Sequence, residues 1–443
     1  MSTFWCERAW LGGPDVRAGV LVDVDGERID SVQTGVPAAP EGAEHLRGLV
    51  LPGLANAHSH VFQRALRGAT HGGRGSFWSW REQMYALAAT LDPGAMLALA
   101  RATFAEMALA GIAVVGEFHY LHHDPDGNPY AEANAMGEAV IEGAREAGVR
   151  ITLLDACYLH GGIGVAPDPV QKRFADADAE AWSERVDAFV QGSHVRVGAA
   201  IHSVRAVDPR SAAIVAAWAE RRSAPLHAHV SEQPAENEAC MAAYGQTPSG
   251  VLAEAGAVSG RFTAVHATHV SSEDEVLLGE AGSFCCLCPT TERDLADGIA
   301  PARRLRDAGA IIALGSDSHA MIEPFEEARA VELDERLASG VRGRHSGDEL
   351  LFAATASGYE SVGWPEGGMI RAGALADLVA VDLDGVRLAG VRDRDLIDAV
   401  VFAGAAADVT DVIIGGRPVV RDRVHQTLDV ARELRDAIGR VRS

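Results

Sequence analysis

The sequence is poor in positive charge. Its 443 residues include 39 Lys and Arg against 62 Asp and Glu, which gives a formal net charge of -23 at pH 7. Such a chain repels the phosphates of nucleic acids and of anionic membranes, so neither is an expected partner. An anionic substrate would need local arginines that overcome the overall field. Lysine is almost missing, since Lys172 is the only one.

Long apolar runs are missing as well. The longest, residues 107–116, is too short to cross a bilayer, and residues 1–13 contain no apolar segment typical of a secretory signal. No secreted-type disulfide framework is visible, because three of the six cysteines, Cys285, Cys286 and Cys288, lie in one short apolar run. We therefore expect no membrane partner, a cytoplasmic location and reduced thiols.

Between residue 48 and about residue 360, apolar strand-like runs alternate with helical patterns. Eight such units indicate a parallel sheet covered on its faces and favour a closed barrel. An open, doubly wound sheet is the alternative, but no Gly-x-Gly-x-x-Gly follows any run. The runs are residues 49–57, 112–118, 149–156, 195–201, 225–229, 262–266, 283–288 and 310–315. The helical patterns include residues 94–110, 132–147, 209–222, 272–281 and 301–308.

Shorter strand-like segments lie near both ends of the chain, with Asp25-Gly26 and Gly415-Gly416 as tight-turn signals. These segments could pair into one small domain. The predicted fold class is therefore α/β, a (β/α)8 TIM-like barrel with a small β-sandwich domain built from both termini. The predicted domain limits are residues 1–52 and 363–443 for the sandwich, with a terminal helix, and residues 53–362 for the barrel.

The first apolar run of the barrel ends in two histidines, His58 and His60. Side chains at i and i+2 of a strand point to the same face, so both imidazoles can reach one point beyond the strand end. Two neutral nitrogens converging there suit a divalent transition metal, most often zinc. Two ordinary polar residues at a strand end are the alternative, and the pair alone does not exclude it.

Polar residues also follow other runs, where the catalytic groups of a parallel barrel are found. Zinc takes three or four ligands at about 2.0–2.2 Å. Three histidines and an aspartate from the first, fifth and eighth runs form the expected ligand set: His58, His60, His229 and Asp317.

Two further strand-end residues are candidates for proton transfer or charge stabilisation. Glu232 lies three residues after His229, close to the metal but placed as a non-ligand. His266 is a candidate hydrogen-bond partner for water at the metal. His269 is the competing choice, and spacing alone does not separate these two histidines.

The order of these motifs resembles the amidohydrolase superfamily, over nearly the whole chain. The resemblance rests on Pro-Gly-Leu-x-Asn-x-His-x-His, the fifth-strand histidine with its glutamate, the sixth-strand histidine and Gly-Ser-Asp at the eighth strand. Six blocks are similar to the formimidoylglutamate deiminase family within it: residues 58–68, 77–85, 116–122, 202–207, 229–233 and 288–293.

The resemblance also bears on the number of metals. Binuclear members use a carbamylated lysine of the fourth strand as a bridge, whereas Lys172 lies in the long loop of residues 161–178. A lysine bridge is therefore excluded, which favours one Zn2+ per chain and deaminase chemistry, although some binuclear relatives use a glutamate instead. The loop itself is a candidate lid or active-site loop.

The family resemblance implies hydrolysis of N-formimidoyl-L-glutamate to N-formyl-L-glutamate and ammonia, in histidine degradation. Water activated by zinc would attack the formimidoyl carbon, with Asp317 accepting its proton. Glu232 would protonate the departing nitrogen, and His266 would stabilise the developing charge.

The implied substrate carries two carboxylates, and two arginines suit them. Arg205 follows the fourth run, and Arg81 is flanked by Trp78 and Trp80, with a surface position as its alternative. Gln63 and Tyr120 are expected neutral donors, and His202 is a further pocket residue. Three other histidines are expected to be solvated or structural: His119, His122 and His123.

Two other functions stay open. One is another amidohydrolase deaminase, acting on a purine, pyrimidine or adenosyl compound, although a flat neutral base does not call for two arginines. The other is a non-enzymatic scaffold, which the loss of a ligand would indicate, and none is lost. The expected partners are a small dicarboxylate substrate and a second copy of the chain in a homodimer, although the sequence does not reveal the oligomeric state.

Overall fold

The computed structural model describes residues 2–70 and 77–442, with side chains for all of these except Phe77 and Trp78. The N-terminal strands are β1 (Ser2–Trp10), β2 (Val16–Asp25), β3 (Arg28–Gln33) and β4 (Glu44–Pro52). The central strands are β5 (Leu54–Ser59), β6 (Ile112–His119), β7 (Arg150–Cys157), β8 (Val195–Ile201), β9 (Leu226–Val230), β10 (Phe262–His266), β11 (Phe284–Leu287) and β12 (Ile311–Leu314). The C-terminal strands are β13 (Leu378–Val381), β14 (Val409–Ile414), β15 (Arg417–Arg421) and β16 (Val424–His425).

Helices lie between the central strands along the chain, and further helices follow the last of them. The first group is α1 (Phe77–Ala88), α2 (Pro93–Leu109), α3 (Ala135–Ala147), α4 (Ala179–Val186), α5 (Pro209–Arg222), α6 (Pro234–Tyr244), α7 (Pro248–Glu254) and α8 (Ser272–Glu280). The second group is α9 (Pro289–Leu295), α10 (Ala302–Ala308), α11 (Pro324–Ser339), α12 (Gly347–Ala354), α13 (Ala356–Ser361), α14 (Leu396–Ala403) and α15 (Val430–Arg442). Among the described residues, none of these helices combines the length and apolarity needed to cross a bilayer.

The central strands form a closed parallel barrel. They pair in sequence order from β5 to β12, every pair parallel. A parallel bridge between Ser59 and Asp317 joins the end of β5 to the segment after β12. Because every strand is covered by helices, almost all strand residues are buried. The predicted (β/α)8 barrel is confirmed.

The terminal strands form a second, mixed sheet, in the order β16-β15-β14-β13-β4-β1-β2-β3. Strands β1 and β4 are parallel, and β13 pairs antiparallel with β4, which joins the two ends of the chain. One face buries a separate apolar cluster, to which Phe4, Val22, Leu378 and Ile413 belong. This arrangement agrees with the predicted sandwich domain built from both termini.

The first predicted run, residues 49–57, is two strands rather than one. The chain leaves the terminal sheet at Pro52 and enters the barrel at Leu54. Gly53 lies between them, and a Cβ at this position would lie 2.6 Å from the Tyr359 hydroxyl and 2.7 Å from Ala113 Cβ. Only glycine permits the backbone to come so close to these side chains. The change from one sheet to the other therefore occurs inside a run that is apolar throughout.

A buried ion pair connects the barrel to the terminal sheet. Arg150 Nε of β7 donates to Asp377 Oδ2 over 3.1 Å, and the Tyr359 hydroxyl donates to the same oxygen over 2.9 Å. The side chains of Arg150 and Asp377 are 3% and 0% exposed, so each charge depends on the other. We propose the domain limits after residues 52 and 362, since strand pairing changes at Gly53 and α13 ends at Ser361.

Candidate active site

The amide of Asn56 fixes the end of β5 against the segment that follows β12. Asn56 Nδ2 donates to Ser316 Oγ over 2.7 Å, and its Oδ1 accepts from the Ser316 backbone N–H over 2.9 Å. Gly315 permits this approach, because a Cβ there would lie 2.7 Å from His58 Cβ. The backbones of His58 and Asp317 are therefore neighbours, joined by a hydrogen bond of 3.0 Å.

Four buried side chains converge at this point, from the ends of β5 and β9 and the segment after β12. His58 Nε2 lies 3.2 Å from His229 Nε2, and His60 Nε2 lies 3.4 Å from the same atom. Asp317 Oδ1 lies 3.2 Å from His58 Nε2 and 3.3 Å from His60 Nε2. Ligands in tetrahedral positions around an ion, with bonds of about 2.0–2.1 Å, are about 3.3–3.4 Å apart, so these spacings fit zinc.

The hydrogen bonds of the outer ring nitrogens support a cation at this point. His60 Nδ1 lies 2.9 Å from the Phe118 carbonyl oxygen, and His229 Nδ1 lies 2.8 Å from the His202 carbonyl oxygen. A carbonyl only accepts, so both rings carry a proton on Nδ1. In the neutral rings both Nε2 atoms then present lone pairs to each other, and a metal ion relieves that conflict.

Burial and charge keep this donor set in the form that a metal needs. Burial lowers the pKa of His58 to about 3, although Asp317 opposes the effect. Burial also lowers the pKa of His60, and that of His229 falls well below its usual range. For Asp317, burial would raise the pKa, but the hydrogen bond and charge of His58 hold it below its ordinary value. The histidines are thus neutral and the aspartate ionised near pH 7.

His266 lies beside this group and faces three carboxylates. Its Nε2 is 3.9 Å from Glu232 Oε1 and 4.0 Å from Asp317 Oδ2, while its Nδ1 is 3.3 Å from Glu292 Oε1. Burial alone would lower the pKa of His266, but the carboxylates, with Glu232 foremost, raise it to about 10. His269 Nε2 instead bonds to the Asp297 carbonyl oxygen over 2.7 Å, away from the group.

Glu232 and Arg205 form a charged cluster with Glu236 next to the metal-binding group. Arg205 Nη2 donates to Glu232 Oε2 over 3.4 Å, and its Nε lies 3.9 Å from Glu236 Oε2. Burial, together with repulsion from Glu232, raises the pKa of Glu236 to about 6 despite the nearby arginine. The cluster holds one arginine between two carboxylates, at the wall of the cavity.

A cavity of about 370 Å³ opens above the metal-binding group, a size suited to a small molecule. The pocket residues predicted from the sequence all line it: Gln63, Arg81, Tyr120, His202 and Arg205. Gln63 Nε2 donates to the Tyr120 hydroxyl over 3.0 Å, and the Arg81 guanidinium lies 5.0 Å from the Tyr85 ring centre. Arg81 is thus a cavity residue rather than a surface charge, and Trp80 lines the same wall. The Trp78 side chain lies outside the described residues.

The long loop of residues 161–178 lines the same cavity and fastens α1. Gln171 Nε2 donates to the hydroxyls of Tyr85 and Tyr158 over 2.9 Å and 2.8 Å. The buried guanidinium of Arg173 donates to the carbonyls of Ala88 and Leu91 at the end of α1. The helix that carries Arg81 is therefore held by this active-site loop.

The three remaining histidines near β6 are buried rather than solvated, and their contacts are structural. His122 Nε2 bonds to the Ala156 carbonyl oxygen over 3.0 Å. With His119 and Asp155, His122 also forms a group of potential metal ligands. Both Asp155 oxygens, however, accept from Arg185, over 2.8 Å and 2.9 Å. That guanidinium already neutralises the carboxylate and would repel a metal ion.

Glu236 and Glu292 lie at the site, and neither is predicted from the sequence. Glu236 is in the first turn of α6, four residues after Glu232, and Glu292 lies in the block of residues 288–293. Both are on helices that follow the strands, where one glutamate among many carries no distinctive signal. The short separation of Glu236 from Glu232 is the one feature that could have indicated it.

Comparison with known proteins gives consistent results. The amidohydrolase family model matches residues 49–419. The chain is 38% identical over 439 residues to formimidoylglutamate deiminase of Pseudomonas aeruginosa, with 96% of each chain covered. It is 29% identical over 424 residues to a 5-methylthioadenosine/S-adenosylhomocysteine deaminase of Natronomonas pharaonis, covering 95% of this chain and 92% of that protein.

Two solved structures share the fold. The amidohydrolase from Brucella melitensis superposes with a TM-score of 0.91 at 34% identity over 100% of both chains. A zinc-bound adenosine deaminase from Xanthomonas campestris gives a TM-score of 0.84 at 23% identity, over 99% of this chain and 98% of that one. The family model spans most of this sequence, and a relative 38% identical covers 96% of it. The chain therefore belongs to the amidohydrolase family, as its motifs predicted.

Proposed function

We propose that this protein hydrolyses N-formimidoyl-L-glutamate to N-formyl-L-glutamate and ammonia, a step of histidine degradation. The observation that carries the proposal is that Arg81 and Arg205 line the same cavity, above the His/Asp group. Formimidoylglutamate deiminase of Pseudomonas aeruginosa, 38% identical over 96% of each chain, supports the same substrate.

One Zn2+ per chain is the proposed cofactor. The residues that would hold it are His58, His60, His229 and Asp317, whose donor spacings fit a tetrahedral ion. When bound, zinc supplies Lewis-acid activation of water and polarisation of the substrate carbon. The single lysine of the chain, Lys172, lies in the loop of residues 161–178. No lysine is therefore placed to bridge the first metal to a second one.

Three residues of the chain are proposed to move protons or stabilise charge. Asp317 Oδ2 faces His266, while Oδ1 faces the histidine ligands, so one aspartate can serve as ligand and as proton acceptor. Glu232 lies 3.9 Å from His266 and is outside the ligand set, which suits transfer of a proton to the departing nitrogen. His266, charged through its carboxylate neighbours, would stabilise negative charge that develops on the atoms bound to the reacting carbon.

The pocket wall supports the dicarboxylate. Arg205 and Arg81 are suited to one carboxylate each, because a guanidinium binds a carboxylate through two parallel hydrogen bonds. Gln63 and Tyr120, which bond to each other, offer neutral donors between the arginines and the metal-binding group. His202 adds a neutral ring, because burial lowers its pKa well below the usual range.

An ammonia-release assay with the zinc-loaded protein tests this function. The substrates are formimidoyl-L-glutamate, formimidoyl-L-aspartate, adenosine, S-adenosylhomocysteine and 8-oxoguanine. The expected result is fastest release from formimidoyl-L-glutamate, with much slower release from every neutral base. Faster release from a nucleobase or an adenosyl compound would contradict the proposed substrate.

A further inference from the structure

The backbone at His266 has a conformation that non-glycine residues rarely adopt. His266 has φ of 69° and the following Ala267 has φ of 50°, both in the left-handed region that non-glycine residues rarely adopt. Such backbone is strained and persists where surrounding contacts fix it. The His266 side chain, 1% exposed, is therefore fixed by its neighbours rather than by local preference.

The neighbour that contacts its outer nitrogen is Glu292. One oxygen, Oε1, lies 3.3 Å from His266 Nδ1 and also accepts from the Cys288 backbone N–H over 2.9 Å. Glu292 is 4% exposed and belongs to α9, so the helix start and the ring share one acceptor atom. The backbone bond at Cys288 holds that oxygen in place, and the oxygen in turn keeps a proton on His266 Nδ1.

We propose that Glu292 is a positioning residue, which holds the His266 ring with a proton on Nδ1 so that Nε2 faces Asp317 and Glu232. This inference rests on the proposed function in one respect, namely that His266 takes part in the reaction. Carboxylates that orient a histidine in this way contribute strongly to activity in other enzymes, without touching the substrate.

The charge and the acceptor of Glu292 can be separated by substitution. In Glu292→Gln the Cys288 N–H selects the amide oxygen at the Oε1 position, so the ring keeps an acceptor and loses only the neighbouring charge. Glu292→Leu removes the acceptor as well. We expect kcat to fall by about 10-fold in the first variant and about 100-fold in the second, with KM and zinc content nearly unchanged.

Glu327 provides a matched structural control. It is 2% exposed and its carboxylate accepts from the Thr290 backbone N–H over 3.1 Å, so it contacts the same helix start as Glu292. Among the described residues, the hydrogen bonds of its carboxylate come from the backbone N–H and the hydroxyl of Thr290 and not from His266. Glu327→Gln is therefore expected to leave kcat close to the wild-type value, and its melting temperature, compared with that of Glu292→Gln, measures what a change of a buried carboxylate at this helix start does to stability.

A double-mutant cycle shows whether Glu292 acts through His266. In the His266→Asn background, Glu292→Gln should lower kcat by much less than its 10-fold effect in the wild type, because the contact has already been removed. An equal loss in both backgrounds, or a loss of zinc in Glu292→Gln, would mean that Glu292 merely supports the fold, and would overturn the proposal.

Nitrogen-15 spectra of the histidine rings provide a readout that needs no substrate. The Nδ1–H signal of His266, identified by its absence in His266→Asn, should shift in Glu292→Gln, disappear in Glu292→Leu and stay unchanged in Glu327→Gln. An unchanged signal in Glu292→Leu would refute the positioning role. If formimidoyl-L-glutamate is not deaminated while these spectra behave as expected, the proposed function fails and the role of Glu292 stands.

Discussion

The rings of His229 and His266 are stacked, with centres 5.6 Å apart and planes only 14° from parallel. His229 Nε2 lies within 3.4 Å of two other histidine nitrogens, whereas His266 Nε2 comes no nearer than 4.0 Å to Asp317. The two nearly parallel rings stand at neighbouring strand ends, and the Nε2 of His229 lies within the ligand set whereas that of His266 lies just outside it. This offset assigns them different roles, which substitution can separate.

His229→Ala should remove zinc and activity together while the barrel stays folded. The wild type is expected to hold about one zinc per chain, because one set of four donors has tetrahedral spacing. Elemental analysis and circular dichroism of both proteins check these points. Two tightly bound metals, both required for activity, would contradict the mononuclear site.

Glu232→Gln should retain zinc and lose most of the turnover. The amide keeps the shape of the side chain but does not carry a proton to the leaving nitrogen, so kcat should fall by roughly 10²–10⁴-fold. Steady-state kinetics and metal analysis of the same preparation measure both effects. Near-normal turnover with full zinc would refute the role given to this carboxylate.

His266→Asn and His269→Asn should differ sharply. His266 faces Glu232 and Asp317, so its loss should reduce kcat severely. His269 is half-buried and bonds to the backbone at Asp297, so its loss should cost stability and little activity. Comparing kcat with the melting temperature for both variants is the measurement. The reverse order would assign the catalytic role to His269, the choice that sequence spacing left open.

Much of the fold was predictable from the sequence, because the physical signal is local. Near-continuous apolar runs of five to nine residues predict the barrel strands. The helix predicted over residues 209–222 has the observed ends, because Asp208 caps it and Pro209 begins it. The change of sheet at Gly53 left no such signal, since both strands are apolar. The helix predicted over residues 132–147 begins at Ala135, after Asn134, because a 3.6-residue pattern does not mark where a helix starts.

Most of the site residues predicted from the sequence lie at strand ends, whereas Arg81 lies on α1 and its prediction rests on the family resemblance. In a parallel barrel all such ends meet at one rim, so His229 and Asp317 could be brought together without knowing any distance. Glu236 and Glu292 reach the same rim from helices, and their side-chain direction depends on packing that the sequence does not encode locally. The length of the loop of residues 161–178 is visible in the sequence. The hydrogen bonds by which its Arg173 fixes the end of α1 are tertiary contacts, which the sequence does not show.

Replacing Arg81 or Arg205 with Ala should strongly reduce kcat/KM for the dicarboxylate substrate. Loss of a charge-assisted contact should cost on the order of 2–4 kcal/mol in transition-state binding, or about 30- to 1000-fold in kcat/KM. Zinc content should not change, since neither arginine belongs to the ligand set. Arg205→Ala also leaves Glu232 and Glu236 without their shared cation, so Arg81→Ala is the simpler test.

A substrate analogue without the side-chain carboxylate separates binding from folding. The analogue should react slowly with the intact enzyme. Replacing the arginine that binds this carboxylate in the full substrate should change the rate of the analogue little, because the analogue already lacks that contact. Equal sensitivity of both substrates to both substitutions would mean that the arginines support the fold instead.

Glu236 should make the folded protein less stable as the pH rises from 4.5 to about 6. Burial, with repulsion from Glu232, raises its pKa from 4.5 to about 6. Because the folded pKa is the higher one, the folded protein still binds a proton in this window when the unfolded chain has released it. The stabilising contribution is full below pH 4.5, is lost as the pH passes about 6, and amounts to on the order of 2 kcal/mol.

Glu236→Gln mimics the protonated form at every pH and should remove this dependence. The free energy of unfolding of the variant, minus that of the wild type, should therefore rise by on the order of 2 kcal/mol between pH 4.5 and pH 7 and then level off. Urea unfolding of the metal-free proteins at several pH values measures it. Glu238→Gln, an exposed change on the same helix, is the control and should show a constant difference. A constant difference for Glu236→Gln as well, or one that falls with pH, would show that burial does not hold the proton on Glu236.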